Sequence, residues 1–281
     1  MKLDQRGKYQ SFDFILWILL AGAFTFAYFS VLNGLITMWS TSEDHSHGFF
    51  IVPLSLYVLW LKKDKLSNTP IKPSTWGGVL IVSTLLLYLL ARFADIITVA
   101  AFSLLPLAAG VTLFLFGFQI LKESLFPIAF LIFMMPVPEQ IYTSLTNPLQ
   151  SIVSSSSVWL ASSINIPIYR TGNVIQLPDL TLQVVAACSG LRSLTTILAL
   201  TSIFGYLTLK TNILRSILVL SSLPTAIIVN IIRLFAIIVA FHFFNFDLST
   251  GTAHTILGLV IFLLALLSVA MTKGVLSHWD R

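Results

Sequence analysis

An all-α polytopic membrane protein of about eight transmembrane helices is the fold class this sequence predicts, and three observations predict it. First, 57% of the 281 residues are hydrophobic and only 10% are charged, against roughly 45–50% and 25% in soluble domains. Second, these apolar residues, about 160 of them, supply roughly eight spans of about 20 residues each. They also run together in long segments. Third, the positive charges segregate. With eight spans, twelve of the sixteen Lys and Arg fall on the side of the two termini. Only Arg92 and Arg170 fall opposite, while Arg192 and Arg233 lie within spans. By the positive-inside rule both termini are then cytoplasmic.

The same numbers exclude other classes. A soluble fold could not cover its surface with so few charges, and a disordered chain would lack this much apolar surface. The net charge of +5 is spread thinly, with no cluster beyond Lys62, Lys63 and Lys65, which speaks against a nucleic-acid partner. The lone cysteine, Cys188, rules out an internal disulfide framework and a multi-cysteine zinc site.

The whole chain, 1–281, reads as a single integral membrane domain, with a cytoplasmic start at 1–13 and a cytoplasmic tail at 273–281. Its spans fall at about 14–38, 48–61, 77–91, 94–118, 124–137, 189–208, 216–244 and 252–272. The first is too long for a signal-peptide core and ends in no small-residue cleavage site, so it stays as a membrane helix. The second and fifth are short for a hydrocarbon core of about 30 Å and call for tilt, flanking extension or partial re-entry.

The longest outward segment is 138–188. Within it, Ile141, Leu145, Leu149 and Ile152 recur at near-helical spacing with polar residues between. This predicts a helix lying in the membrane interface, with Pro148 as the place for a bend. An ordinary loop or an extra shallow span is the alternative. Asn173–Leu177 and Leu180–Val185 alternate around Pro178-Asp179 and predict a small β-hairpin before span six.

Polar residues inside apolar runs mark the candidate site. Cys188 follows the second strand and opens a helix, where exposed N–H groups and the helix dipole stabilise a thiolate. Ser189 and Gly190 would let a substrate carbonyl approach the backbone, and Arg192, one turn on, adds positive potential. A small buried side chain is the plainer reading of such a cysteine. Arg233 sits deep in Ile231-Ile232-Arg233-Leu234-Phe235, where insertion alone costs about 2.5–3.5 kcal/mol. Asn230 shares its helix face. A structural arginine paired with a backbone carbonyl is the plainer alternative.

His254 opens the eighth span, with Gly251 and Gly258 on its face to admit a neighbouring helix. His242 lies nine residues beyond Arg233, about 180° round the helix, and is expected to face away. His45 and His47, in Glu43-Asp44-His45-Ser46-His47-Gly48, have the composition of a metal site. Adjacent residues rarely wrap one ion, so a substrate contact or a helix cap is preferred, and no metal or cofactor is expected. His278 lies on the cytoplasmic side.

Several segments resemble the exosortase/archaeosortase family. They are Ala187-Cys188-Ser189-Gly190-Leu191-Arg192, Asn230-Ile231-Ile232-Arg233, His254 within Gly251-Thr252-Ala253-His254, and Ser46-His47-Gly48-Phe49-Phe50 followed by Pro53 and Trp60. The similarity runs from about residue 44 to 272, in order, and no appended soluble domain is expected after the last span. The resemblance implies a membrane-embedded cysteine protease or transpeptidase. Its partners would be secreted proteins bearing a C-terminal sorting signal of PEP-CTERM type: a short motif, a transmembrane helix and a basic tail. It implies Cys188, Arg233 and His254 as the catalytic set, at the outer face of the inner membrane, and a link to exopolysaccharide or biofilm-matrix export. A transporter or exporter of a lipid-linked sugar is the rival reading, and a non-catalytic export scaffold is a third. No inverted repeat is visible to favour transport.

Overall fold

The computed structural model describes residues 5–42, 44–178, 180–183 and 191–280. These gather into two compact units, Met1–Pro136 and Val137–Arg281. Helices dominate both. Five of them are long and apolar enough to cross a membrane: Ile18–Thr41, Thr75–Phe93, Ile97–Phe116, Asn212–Phe244 and Gly251–Ser277. A sixth is added if Phe118–Met134 and Glu139–Ser163 form one broken span, and Gly48–Leu61 and Ser193–Thr208 are shorter apolar helices. The protein is an α-helical membrane protein, with five or six of the eight expected spans supported by length and apolarity.

In the first unit, α1 (Gln5–Thr41), α2 (Gly48–Leu61), α3 (Lys63–Asn68), α4 (Thr75–Phe93), α5 (Ile97–Phe102), α6 (Leu104–Phe116) and α7 (Phe118–Phe130) follow in order. A 3-10 turn at Leu131–Met134 then continues α7. The expected span at 94–118 is interrupted at Ser103, between α5 and α6. The Ser103 hydroxyl donates to the Ala100 carbonyl at 2.6 Å and meets the Tyr28 hydroxyl at 2.9 Å. Helices α4 and α6 pack backbone against backbone at Gly77, where an added Cβ would lie 2.2 Å from the Phe114 nitrogen. Small residues permit this approach where no water drives helices together.

The short helix α7 is tied down through its proline. Pro127 has no N–H, so the Glu123 carbonyl one turn earlier loses its helical donor. Lys62 supplies one instead, with Nζ 2.8 Å from that carbonyl and 3.1 Å from the Glu123 carboxylate, while Lys65 meets the same carboxylate at 2.8 Å. Ser55 of α2 donates to the Pro127 carbonyl at 2.8 Å.

The second unit begins with α8 (Glu139–Ser163), which runs as one helix through Pro148. Its expected apolar stripe points outward: Ile141, Leu145 and Ile152 are 50%, 51% and 46% exposed. The buried face is instead Thr146, Gln150, Val153, Ser154, Ser157 and Ala161. Small and hydroxyl side chains let α8 lie close on α10 (Asn212–Phe244), and Ser157 Oγ donates to the Ile231 carbonyl at 3.2 Å. This is amphipathy turned inside out, as expected where the surroundings are lipid.

A three-stranded antiparallel sheet follows: β1 (Tyr169–Thr171), β2 (Val174–Leu177) and β3 (Leu180–Gln183). The predicted hairpin has the register Ile175 to Leu182 and Leu177 to Leu180 around Pro178-Asp179. Strand β1 is an addition that Gly172-Asn173, with Gly172 at φ 61, turns onto β2. The sheet is bound to α8 by Arg170, whose Nη1 donates to the Ser151 carbonyl at 2.9 Å and to Ser154 Oγ at 2.6 Å, and by Asn173 donating to Gln150. Ile175, Leu177 and Leu182 close a core with Val153 and Ala161 of α8 and Leu234, Ile237 and Ile238 of α10.

Helices α9 (Leu191–Thr208), α10 and α11 (Gly251–Ser277) complete the unit, with α10 packed against both others. Arg215 caps the end of α9, donating to the Leu209 carbonyl at 2.9 Å and the Tyr206 carbonyl at 3.2 Å. Asp280 accepts the Lys210 and Thr211 N–H groups at 2.6 and 3.0 Å, just before α10. Anions are favoured at that helix end. The Lys210 N–H above all holds its carboxyl below the ordinary value.

Candidate active site

The site is built where α10 turns back into α11. Asn245 takes a left-handed conformation, φ 49, and ends α10, a common way to stop a helix. The next turn is organised by Asp247. Its Oδ1 accepts the Ser249 N–H at 2.7 Å and the Ser249 hydroxyl at 2.5 Å, and its Oδ2 accepts the Thr250 hydroxyl at 2.9 Å. These donors, the Ser249 hydroxyl foremost, hold the Asp247 carboxyl below its ordinary value. Gly251, at φ 65, then opens α11.

This turn puts His254 in the first turn of α11 with both ring nitrogens engaged. Nδ1 is 3.0 Å from the Leu248 carbonyl and Nε2 is 2.7 Å from Nη2 of Arg233 on α10. A carbonyl can only accept and a guanidinium can only donate. The ring is therefore neutral, with its hydrogen on Nδ1 and its lone pair on Nε2 turned toward the arginine. Both side chains are half-buried. The guanidinium thus has the imidazole Nε2 as one of its acceptors inside an apolar stretch.

Gly258, one turn after His254, makes room for this pair. A Cβ there would sit 3.3 Å from Arg233 Nη2 and 3.6 Å from Cζ. The two expected small residues thus divide their roles. Gly258 admits the guanidinium, whereas Gly251 has nothing within 4 Å and serves by its left-handed backbone instead of by packing.

The other predicted residues fall as follows. Asn230 is buried on α10, three residues before Arg233. His242 packs edge-on against Phe243, with centroids 4.8 Å apart. Cys188, Ser189 and Gly190 lie outside the described residues, as does the Arg192 side chain, although α9 begins at Leu191. His278 Nδ1 meets the Gly274 carbonyl at 2.9 Å.

In the first unit, His45 Nδ1 meets Ser42 Oγ at 3.1 Å and His47 Nε2 meets the Phe133 carbonyl at 3.0 Å. Burial, opposed by Asp44, lowers the pKa of His45. Burial lowers that of His47 too, against the raising effect of the Phe133 carbonyl. Among the described residues no three His, Cys, Asp or Glu side chains gather as a metal site requires.

Two elements of the site were not singled out by sequence reasoning: Asp247 and the Leu248 carbonyl. The pattern Asp247-Leu248-Ser249-Thr250 ahead of an apolar helix is a turn and capping signal, and it was available.

The transmembrane exosortase family model matches residues 39–271, more than half of the chain. The chain belongs to the transmembrane exosortase family. The match covers Arg233, His254 and the segment around Cys188. No curated relative and no solved structure matches the chain.

Proposed function

We propose that this exosortase-family chain is a cysteine transpeptidase or protease that cleaves a C-terminal sorting signal of PEP-CTERM type from exported proteins. It would work at the outer face of the inner membrane, with both termini cytoplasmic, in a cell that exports a polysaccharide matrix. The observation that carries the reading is the 2.7 Å contact between Arg233 and His254, two of the three residues the family resemblance nominates.

In this reading Cys188 is the nucleophile. Its thiol proton passes to His254 Nε2 as sulfur attacks the scissile carbonyl. The developing oxyanion is a stronger acceptor for the guanidinium than a neutral imidazole. Arg233 therefore shifts its N–H toward the oxyanion as charge forms there, which frees the Nε2 lone pair at the moment it is needed. Collapse breaks the C–N bond, leaves a thioester on Cys188 and returns the proton from His254 to the leaving amine. Water or an acceptor amine then attacks, gives a proton to His254 and expels the thiolate, which regains that proton. Ser189, Gly190 and Arg192 would support the nucleophile, and Asn230 the guanidinium. The signal helix of the substrate would pack in the bilayer with its basic tail cytoplasmic.

The test is co-expression with a reporter carrying a candidate C-terminal signal. Wild type should shorten and release it, and Cys188→Ala should leave it full-length and membrane-retained. Normal processing by Cys188→Ala overturns the proposal.

A further inference from the structure

The Leu248–Ser249 peptide is gripped at both ends. Its N–H points to the Asp247 carboxylate at 2.7 Å, and its C=O points to His254 Nδ1 at 3.0 Å. A trans peptide is planar, with N–H and C=O directed oppositely. Fixing one end therefore fixes the direction of the other. The result is a continuous chain: Asp247 carboxylate, Ser249 N–H, Leu248 C=O, His254 Nδ1–H, His254 Nε2, and Arg233 Nη2–H at 2.7 Å. Every donor in it points the same way, so each bond polarises the next.

We infer that Asp247 is a positioning residue for His254, acting through the Leu248–Ser249 peptide to hold the imidazole in its Nδ1–H tautomer. This rests on the reading of His254 as the proton carrier. The arrangement is a carboxylate–histidine pair with one peptide unit inserted between the members. In the direct version of such a pair the carboxylate selects the tautomer and orients the ring. Here the peptide does so, and the carboxylate holds the peptide. Two further contacts belong to the same device, since the Ser249 and Thr250 hydroxyls also bind Asp247, at 2.5 and 2.9 Å, and stop the carboxylate from turning away. Asp247 itself is exposed, so its charge is screened by water. Its influence on His254 runs through geometry.

That distinction makes the inference testable with the full-length protein in lipid nanodiscs. Histidine ring nitrogens are labelled with 15N, and His254 is assigned by the signal lost in His254→Gln. Wild type should show a neutral ring protonated at Nδ1. Asp247→Asn keeps an acceptor for the Ser249 N–H and should keep both that signature and near-normal processing. Asp247→Ala should show mixed tautomers and a kcat lower by on the order of tenfold, with KM little changed, as for a misplaced catalytic group. Asp247→Glu keeps the charge but moves the carboxylate by one methylene, and it should follow Asp247→Ala. If Asp247→Ala keeps both tautomer and kcat, or if Asp247→Glu behaves as wild type, the inference is overturned. Normal processing by His254→Gln would instead overturn the reading of His254 as proton carrier, a separate failure.

Discussion

His47 and His254 stand in similar places and keep different company. Each sits at the start of a helix, and each has a ring nitrogen 3.0 Å from a backbone carbonyl, Phe133 for His47 and Leu248 for His254. The difference lies at the other nitrogen. The His47 ring has the Asp44 backbone near it instead of a cation, and through the Phe133 carbonyl it ties two pieces of chain together. Beside it, Trp39 donates to the Met134 carbonyl at 3.1 Å and packs its ring over Gly48, leaving no room for a Cβ. The His254 ring meets a guanidinium at 2.7 Å, which can only donate, so a lone pair is held in one direction. Which partner a histidine's second nitrogen meets is decided by the tertiary fold, and no single residue's context in the sequence reveals it.

The largest test of this contrast substitutes both histidines alike. His254→Gln should reduce signal processing by about 10²–10⁴-fold, the usual worth of a positioned proton carrier. His47→Gln keeps an N–H donor for the Phe133 carbonyl and should process close to wild type. Equal losses would erase the contrast and favour a substrate contact at His47, one of the two roles expected from sequence.

A smaller effect is expected at Gly258. Alanine there would press on Arg233 Nη2 from 3.3 Å and displace the guanidinium by a few tenths of an ångström. Roughly a several-fold fall in kcat should follow, with thermal stability held or raised because alanine favours a helix. Gly274→Ala, with nothing within 4 Å, is the control on the same helix. If both variants process equally well, the close fit around Arg233 does not matter to the chemistry.

The smallest effect concerns acid. Burial first of all lowers the pKa of both His45 and His47 from 6.5. The unfolded segment then binds more protons than the folded one, so stability rises with pH. The contribution is complete above about 6.5 and is lost as pH falls from there through the lowered folded values. Hydrogen exchange across 42–50, corrected for the intrinsic slowing of amide exchange in acid, should lose protection below about pH 6.5, while the histidine-free segment 165–175 is the reference. Unchanged protection in 42–50 would show that these rings stay neutral through the whole range.

Much of the fold was legible. Long apolar runs announced the membrane helices, because a backbone in lipid must satisfy its own hydrogen bonds. Pro178-Asp179 between alternating segments announced the hairpin. Arg233 and His254 stood out because polar groups are costly there. The facing of α8 was legible in part. A helix in the membrane interface turns its apolar stripe to lipid, and Ile141, Leu145 and Ile152 are exposed, but the small and hydroxyl face that meets α10 has no apolar periodicity to announce it. Strand β1 was announced only by Gly172-Asn173, and three residues give too short a pattern to read.

The sequence by itself determined the class of protein and the family to which it belongs, and it nominated the candidate site residues. These follow from hydrophobicity, local spacing and ordered motifs, all one-dimensional properties. Only the tertiary structure decided that Arg233 and His254, 21 residues apart, touch at 2.7 Å, that Gly258 clears the space between helices, and that Asp247 reaches His254 through a peptide. Such facts depend on how α10 and α11 fold back on each other, and a hydrogen bond exists only when distance and direction are both met.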